Sequence, residues 1–309
     1  MKVLVTGADG FVGARLVRRL AAEGHEPIAA VRPGSPDPKP KFGSQAERIR
    51  MVPLELTEAE SVRDAVATRP DAVVHLAAVA SGVEARKDPL GAWTVNAVGT
   101  ARLAEALGSE PTLLVVSTAE VYGAGPAVPR RESDPVAPCS PYGASKLGAE
   151  IAALEVHRRV GLKVIVARPF PHIGPGQDER YVVPAFAGRI RVAKRISAPA
   201  VRVGNLTSVR EFLHVDDVVD AYCRLLAGGR PGEVYNVASG RGITLEEVFY
   251  RLCDLIGYRP LPEAHPALMR TADIPHLVGD GGKLRAATGW EPRTPLEQTL
   301  REVVDAQAD

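Results

Sequence analysis

The sequence predicts an α/β protein, a doubly wound parallel Rossmann-type sheet joined to a smaller, discontinuous C-terminal lobe. Short apolar runs alternate with helical patterns through residues 1–168, as in sheets whose parallel strands are covered by helices on both faces. A glycine triplet, Gly7, Gly10 and Gly13, stands at the first strand-to-helix junction. Beyond Phe170 the alternation loosens and proline becomes frequent, which suits a second lobe. The expected division is 1–168 with 210–238 for the sheet domain, and 169–209 with 239–309 for the lobe.

The chain has 309 residues, 45% of them apolar, ample for a substantial core. Its formal net charge is +1 with Lys and Arg scattered, which argues against nucleic acid or a membrane surface as the main partner. No apolar run is long enough to span a bilayer and no leader pattern precedes the first strand, so a cytoplasmic protein is expected. Cys139, Cys223 and Cys253 are far apart and lack metal-ligand spacing; free thiols and no metal site are expected.

Val3, Leu4 and Val5 form the first strand, and a helix over 11–23 follows the glycines. The G-x-x-G-x-x-G spacing supplies a tight turn, a close approach to a pyrophosphate and tight helix-on-strand packing, each at a residue without a Cβ. The helix opens at Phe11 and Val12, aiming free N–H groups at the phosphates. An ordinary strand-to-helix turn is the alternative, but the position of the motif in the first βα unit favours a dinucleotide.

The second strand, 27–31, ends at Arg32, beside the adenosine ribose in such a unit. A carboxylate there suits the 2′-hydroxyl of NAD and an arginine suits a 2′-phosphate, so NADP(H) is favoured, with NAD(H) possible. Residues 33–44, rich in proline, glycine and lysine, read as a surface loop. After a third strand, 49–54, Glu55 and Leu56 fall near the adenine edge; a loop charge is the alternative for Glu55. A fourth strand, 71–76, ends in His75, Leu76, Ala77 and Ala78, whose small side chains let the backbone lie against a cofactor. His75 alone reads as packed rather than catalytic. Asn96, expected among the cofactor-binding residues, sits in a helix over 91–107 that is apolar on more than one side, so the helix packs on the sheet and on a partner.

The fifth strand, 112–116, leads into Ser117, Thr118, Ala119 and Glu120, at the strand end where open α/β sheets place ligands. Ser140 as N-cap and Pro141 as first residue start another helix. Tyr142 and Lys146 are one turn apart on it and share a face. A phenol is a poor acid near neutral pH, and a nearby ammonium stabilises the phenolate, so Lys146 is expected to lower the Tyr142 pKa. Thr118 would hold the substrate oxygen, Lys146 would also bind the nicotinamide ribose, and the cofactor would handle the hydride.

These residues together resemble the extended short-chain dehydrogenase/reductases that act on nucleotide sugars. The resemblance covers nearly the whole chain: the glycine turn, residues 75–78, and Thr118, Tyr142 and Lys146 as the catalytic triad. Downstream, RPFPHIGPGQ (168–177), VGNLTSVREFLHVDD (203–217) and YNVASGRGIT (235–244) are most similar to GDP-4-keto-6-deoxymannose reductases and GDP-mannose dehydratases. The resemblance implies that Arg210 and Arg270 contact the nucleotide pyrophosphate, a role suited to a guanidinium fork, and that His172 lines the substrate site. Pro171 departs from the asparagine that close relatives often carry.

Dehydratases of this kind usually show Thr-Asp-Glu, with the aspartate protonating the departing hydroxyl. Here Ala119 replaces that acid, which disfavours dehydration and leaves Glu120 either to orient the sugar or as a structural remnant. Arg32 favours a reductase exchanging NADPH over an epimerase retaining NAD. The expectation is therefore reduction of a nucleotide-linked 4-keto-6-deoxyhexose. A 4-epimerase or 4,6-dehydratase, or a non-catalytic Rossmann regulator, stands as the alternative. A homodimer through helices 91–107 and 142–160 is also expected.

Overall fold

The computed structural model describes residues 1–269 and 273–307. β1 (Lys2–Thr6) runs through the glycine turn into α1 (Phe11–Ala22), and β2 (Glu26–Val31) lies parallel beside β1. A 3-10 strap (Lys39–Arg48), interrupted at Gly43, leads to β3 (Arg50–Pro53) and α2 (Ala59–Val66). β4 (Ala72–His75) and α3 (Gly82–Lys87) precede a continuous helical stretch made of α4 (Pro89–Trp93), a π turn (Thr94–Val98) and α5 (Gly99–Leu107). The single regular helix expected over 91–107 is thus widened in its middle, where the Asn96 side chain is drawn into the interior. Then come β5 (Thr112–Val116), α6 (Pro141–Val160) and β6 (Lys163–Pro169).

The chain next leaves the sheet through β7 (His172–Ile173), α7 (Val182–Arg195), β8 (Ala200–Val203), β9 (Val209–Arg210) and β10 (Leu213–His214). It returns through α8 (Val215–Gly228) to β11 (Val234–Val237). All neighbours in the resulting seven-stranded sheet, ordered β11-β6-β5-β4-β1-β2-β3, are parallel. The remainder comprises β12 (Ile243–Thr244), α9 (Leu245–Ile256), β13 (Leu261–Ala264), β14 (His276–Leu277), α10 (Gly282–Thr288) and α11 (Leu296–Asp305). Thr244 and Glu247 close a reciprocal capping box at the start of α9, as the sequence signature requires.

Alternation along β1 sends Val3 and Val5 into one core with α1 and α8, and Leu4 into a second with α2, α5 and α6. A third core, including Phe186, Phe249 and Leu300, holds α7, α9 and α11 together as the lobe. One boundary differs from expectation. Leu284 and Trp290, assigned to the lobe from sequence, pack in the first core, and the Trp290 indole N–H donates to the Asp217 carbonyl at 3.0 Å. A large aromatic at the end of α10 finds its apolar cover against α8, so this segment belongs with the sheet domain.

The helix α6 is fastened to the sheet by a buried polar network. Glu150 accepts from the Ser117 hydroxyl and takes two branches of the Arg168 guanidinium, at 3.0 Å from Nε and 2.7 Å from Nη2. Arg168 also donates to Tyr122 Oη at 3.1 Å, and Tyr122 donates to Asn236 Oδ1 at 2.7 Å. Removing one member of a buried ion pair strands the other charge, so Glu150→Ala should lower the unfolding free energy by about 3–5 kcal/mol. The urea midpoint at unchanged m-value measures it; a loss below about 1 kcal/mol would mean the pair is solvated.

Candidate active site

The glycine turn is shaped for close approach. Gly7 has φ +66°, and a Cβ there would stand 3.0 Å from Ala77 N. A Cβ on Gly13 would stand 2.1 Å from the Gly7 carbonyl oxygen, so α1 packs against the turn only because that position is glycine. Gly10 caps α1 with no side chain, which leaves the first N–H groups of the helix open for a ligand. Gly7, Gly10, Phe11, Val12 and Gly13 line a cleft of about 490 Å³ together with Leu76, Ala77 and Ala78. A cradle of bare backbone ending on a helix N-terminus fits a dinucleotide pyrophosphate.

His75 beneath this cradle is structural. Thr6 Oγ1 accepts the N–H groups of Leu76 and Ala77 at 3.1 and 3.0 Å, so its own hydrogen goes to His75 Nδ1, 2.8 Å away. The imidazole proton then sits on Nε2 and is donated to Thr100 Oγ1 at 2.9 Å. Burial, with the Lys146 charge added, pulls its pKa down to about 3.

Across the cleft, Thr118, Glu120, Ser140, Tyr142 and Lys146 gather at the end of β5 and the start of α6. Ser140 Oγ caps α6 through the Gly143 N–H at 3.0 Å and donates to Glu120 Oε2 at 3.0 Å. Thr118 Oγ1 accepts from the Glu120 N–H at 3.2 Å, and its hydroxyl lines the cleft together with that of Tyr142. The expected depression of the Tyr142 pKa by Lys146 is not found. Burial raises it first and the Glu120 carboxylate raises it further; only the Thr118 hydroxyl acts the other way. Lys146 is itself brought down to about 8 by burial, with the Glu150 charge one turn along α6 holding it up. The site therefore presents a loaded phenol acid beside an ammonium that keeps its proton at neutral pH.

His172 and Arg210 line the lobe side of the cleft. His172 Nδ1 lies 3.0 Å from the Phe170 carbonyl, and burial lowers its pKa. The Arg210 guanidinium donates to Asp273 Oδ1 at 3.0 Å. Its neighbour Glu211, fully buried, accepts the N–H groups of Ser239, Gly240 and Gly279, and burial pushes its pKa up to about 7. Arg270 lies outside the described residues.

Four expected cofactor residues stand apart from the cleft lining. Arg32 is at the rim, ion-paired with Glu55 at 3.1 Å, and Glu55 also accepts from the Thr57 N–H and hydroxyl. Leu56 is buried under Gly99. Asn96 does not reach the cleft. It accepts from the Val79 N–H at 2.8 Å and donates to the Val79 carbonyl and to Ser145 Oγ, clamping the loop after β4 to α6. Tyr181 and Tyr222 also line the cleft and act electrostatically on or with Tyr142, yet no local pattern marks them: one follows a loop and the other lies mid-helix.

Comparison with known proteins settles the family. The profile described as "NAD dependent epimerase/dehydratase family" matches residues 3–238. The chain belongs to this family. The resemblance to extended short-chain dehydrogenase/reductases is thereby borne out, as is the expectation of an NAD(P)-dependent nucleotide-sugar oxidoreductase. GDP-6-deoxy-D-mannose reductase of Pseudomonas aeruginosa is 37% identical over 98% of this chain and 96% of its own. The solved structure of RMD from Pseudomonas aeruginosa complexed with NADPH superposes with TM-score 0.83 at 35% identity, covering 99% and 98% of the two chains. UDP-glucose 4-epimerase of Thermus thermophilus, complexed with NAD, superposes with TM-score 0.87 at 30% identity over 99% and 98%. Among the described residues no helix is long and apolar enough to cross a membrane.

In this family member His75 gives stability a definite pH dependence. Its folded pKa lies below its ordinary value of 6.5, so between 6.5 and about 3 the unfolded chain takes up a proton that the folded chain refuses. Stability falls as pH drops through that window, by about 1.4 kcal/mol per unit from this residue. Urea unfolding at pH 7 and pH 5 should show a steeper loss for the wild type than for His75→Gln; equal slopes would place His75 in water.

Proposed function

We propose that this chain uses NADPH to reduce the C4 ketone of a nucleotide-linked 4-keto-6-deoxyhexose, converting GDP-4-keto-6-deoxymannose to GDP-rhamnose. The carrying observation is Tyr142, a phenol held neutral by burial, lining the same cleft as Thr118 and one turn from Lys146 beside the glycine turn. A ketone reduction needs a proton for the new alkoxide, and a protonated phenol is already the donor.

Gly7, Gly10, Phe11, Val12 and Gly13 hold the pyrophosphate, while Leu76, Ala77 and Ala78 provide the floor, with Arg32 at the adenosine end. Bound there, NADPH supplies the hydride. Thr118 holds the C4 oxygen and Tyr142 gives it a proton. Lys146 binds the ribose. Arg210 takes the nucleotide pyrophosphate as a guanidinium fork, His172 walls the sugar, and Glu120, fixed by Ser140, orients it. Ala119 is 1% exposed and carries no acid, so the group that would protonate a leaving hydroxyl in dehydration is missing.

A second reading, 4-epimerisation with retained NAD, is favoured by one observation: Arg32 is engaged by Glu55. Mixing the protein with NADPH and GDP-4-keto-6-deoxymannose separates the two. Loss of the reduced-cofactor absorbance is expected, and Tyr142→Phe should lower kcat by about 10²–10⁴ while NADPH still binds. Interconversion of an unreduced nucleotide hexose without NADPH consumption would overturn the reading.

The exposed Leu90, Trp93, Val98 and Ile151 place large apolar side chains on neighbouring helices, which supports a second copy of the chain as partner. Light scattering should give a dimer mass, and Ile151→Glu should shift it toward the monomer; a monomeric wild type would refute the assembly.

A further inference from the structure

We propose that Lys41, together with Arg32, reads the 2′ position of the adenosine ribose and so sets the preference for a phosphorylated dinucleotide. This rests on the cofactor reading above and assigns it to a residue outside the glycine motif and the strand end.

Three observations bring Lys41 to that corner. The Ala8 N–H donates to the Ala30 carbonyl at 3.3 Å, which stitches the glycine turn to the end of β2, where the ribose of a bound dinucleotide lies. Lys41 Nζ donates to the Asp9 carbonyl at 2.6 Å, so the ammonium sits on the same turn. Its neighbour Phe42 is 1% exposed in the core beside Leu16, Val17 and Leu20 of α1, which pins the strap and holds Lys41 above the turn.

The charges at this rim separate Lys41 from the other cations. Lys39 is paired with Glu47 at 3.2 Å and Arg32 with Glu55 at 3.1 Å. Among the described residues no carboxylate lies within ion-pair distance of Lys41; its only hydrogen bond there is to a neutral carbonyl. An ammonium has three donors, so two remain for phosphate oxygens. Asp9 puts a carboxylate at the same turn, and a dianionic ligand arriving beside it needs a cation to offset that charge. A ribose with a free 2′-hydroxyl makes no such demand, so the effect of Lys41 falls on one dinucleotide and spares the other.

Isothermal titration of NADPH, NADH and 2′-AMP into wild type, Lys41→Met and Lys41→Arg tests this without any sugar substrate. Lys41→Met should weaken NADPH and 2′-AMP at least about tenfold and leave NADH within about twofold, while Lys41→Arg restores NADPH. Equal weakening of NADPH and NADH would reduce Lys41 to a brace for the turn and overturn the assignment, as would no change in either. A wild type that binds NADH as tightly as NADPH would instead overturn the cofactor reading on which it rests.

Discussion

The buried carboxylate of Glu150 is the constraint on which the arrangement depends. It joins α6 to β5 through Ser117 and to β6 through Arg168, and Arg168 carries the tie on to Tyr122 and Asn236 of β11. Apolar packing alone would let a long helix slide along the sheet by a fraction of a turn. Directional hydrogen bonds at a dry site do not tolerate such a shift, because each broken one strands a charge or a dipole. Tyr142 and Lys146, two turns and one turn nearer the start of α6, inherit their position from this anchor.

Burial then separates the titratable groups by type. The imidazole of His75 is kept neutral by burial and the Lys146 charge, with both its nitrogens facing hydroxyls already committed in one direction. The phenol of Tyr142 is kept neutral because the anion would face both an apolar wall and the Glu120 carboxylate. Lys146 retains most of its charge because Glu150 partly compensates the loss of water. Three groups under one roof thus hold different proton inventories near neutral pH, the condition for directed proton movement.

Much of this was legible in the sequence because the signals are local. The glycine spacing, the Ser140–Pro141 helix start, the i, i+4 pair of Tyr142 and Lys146, and the Thr244–Glu247 box each rest on a few adjacent residues, and the structure shows each one. What escaped depends on contacts distant along the chain. The Asn96 side chain turns inward to Val79 and Ser145 instead of toward the cleft, a choice fixed by the widened helical turn. Leu284 and Trp290 pack on α8 because of the core shape there, and the pKa of Tyr142 follows burial, which no pairwise spacing reveals. The Arg32–Glu55 pair is of the same kind: each residue could be placed from the strand pattern, but not their meeting.

The π turn at 94–98 has a consequence for how this chain can vary. It accommodates one residue more than a regular turn, and each residue of an α-helix advances the face by about 100°. Deleting any single residue there would restore ideal helical geometry and improve local hydrogen bonding, yet it would rotate everything on one side of the cut relative to the other. Either Asn96 would lose Val79 and Ser145, or Leu103 and Leu107 would leave their core. The irregularity is therefore a phase adjuster between two fixed faces of one rod, and the segment is closed to length change.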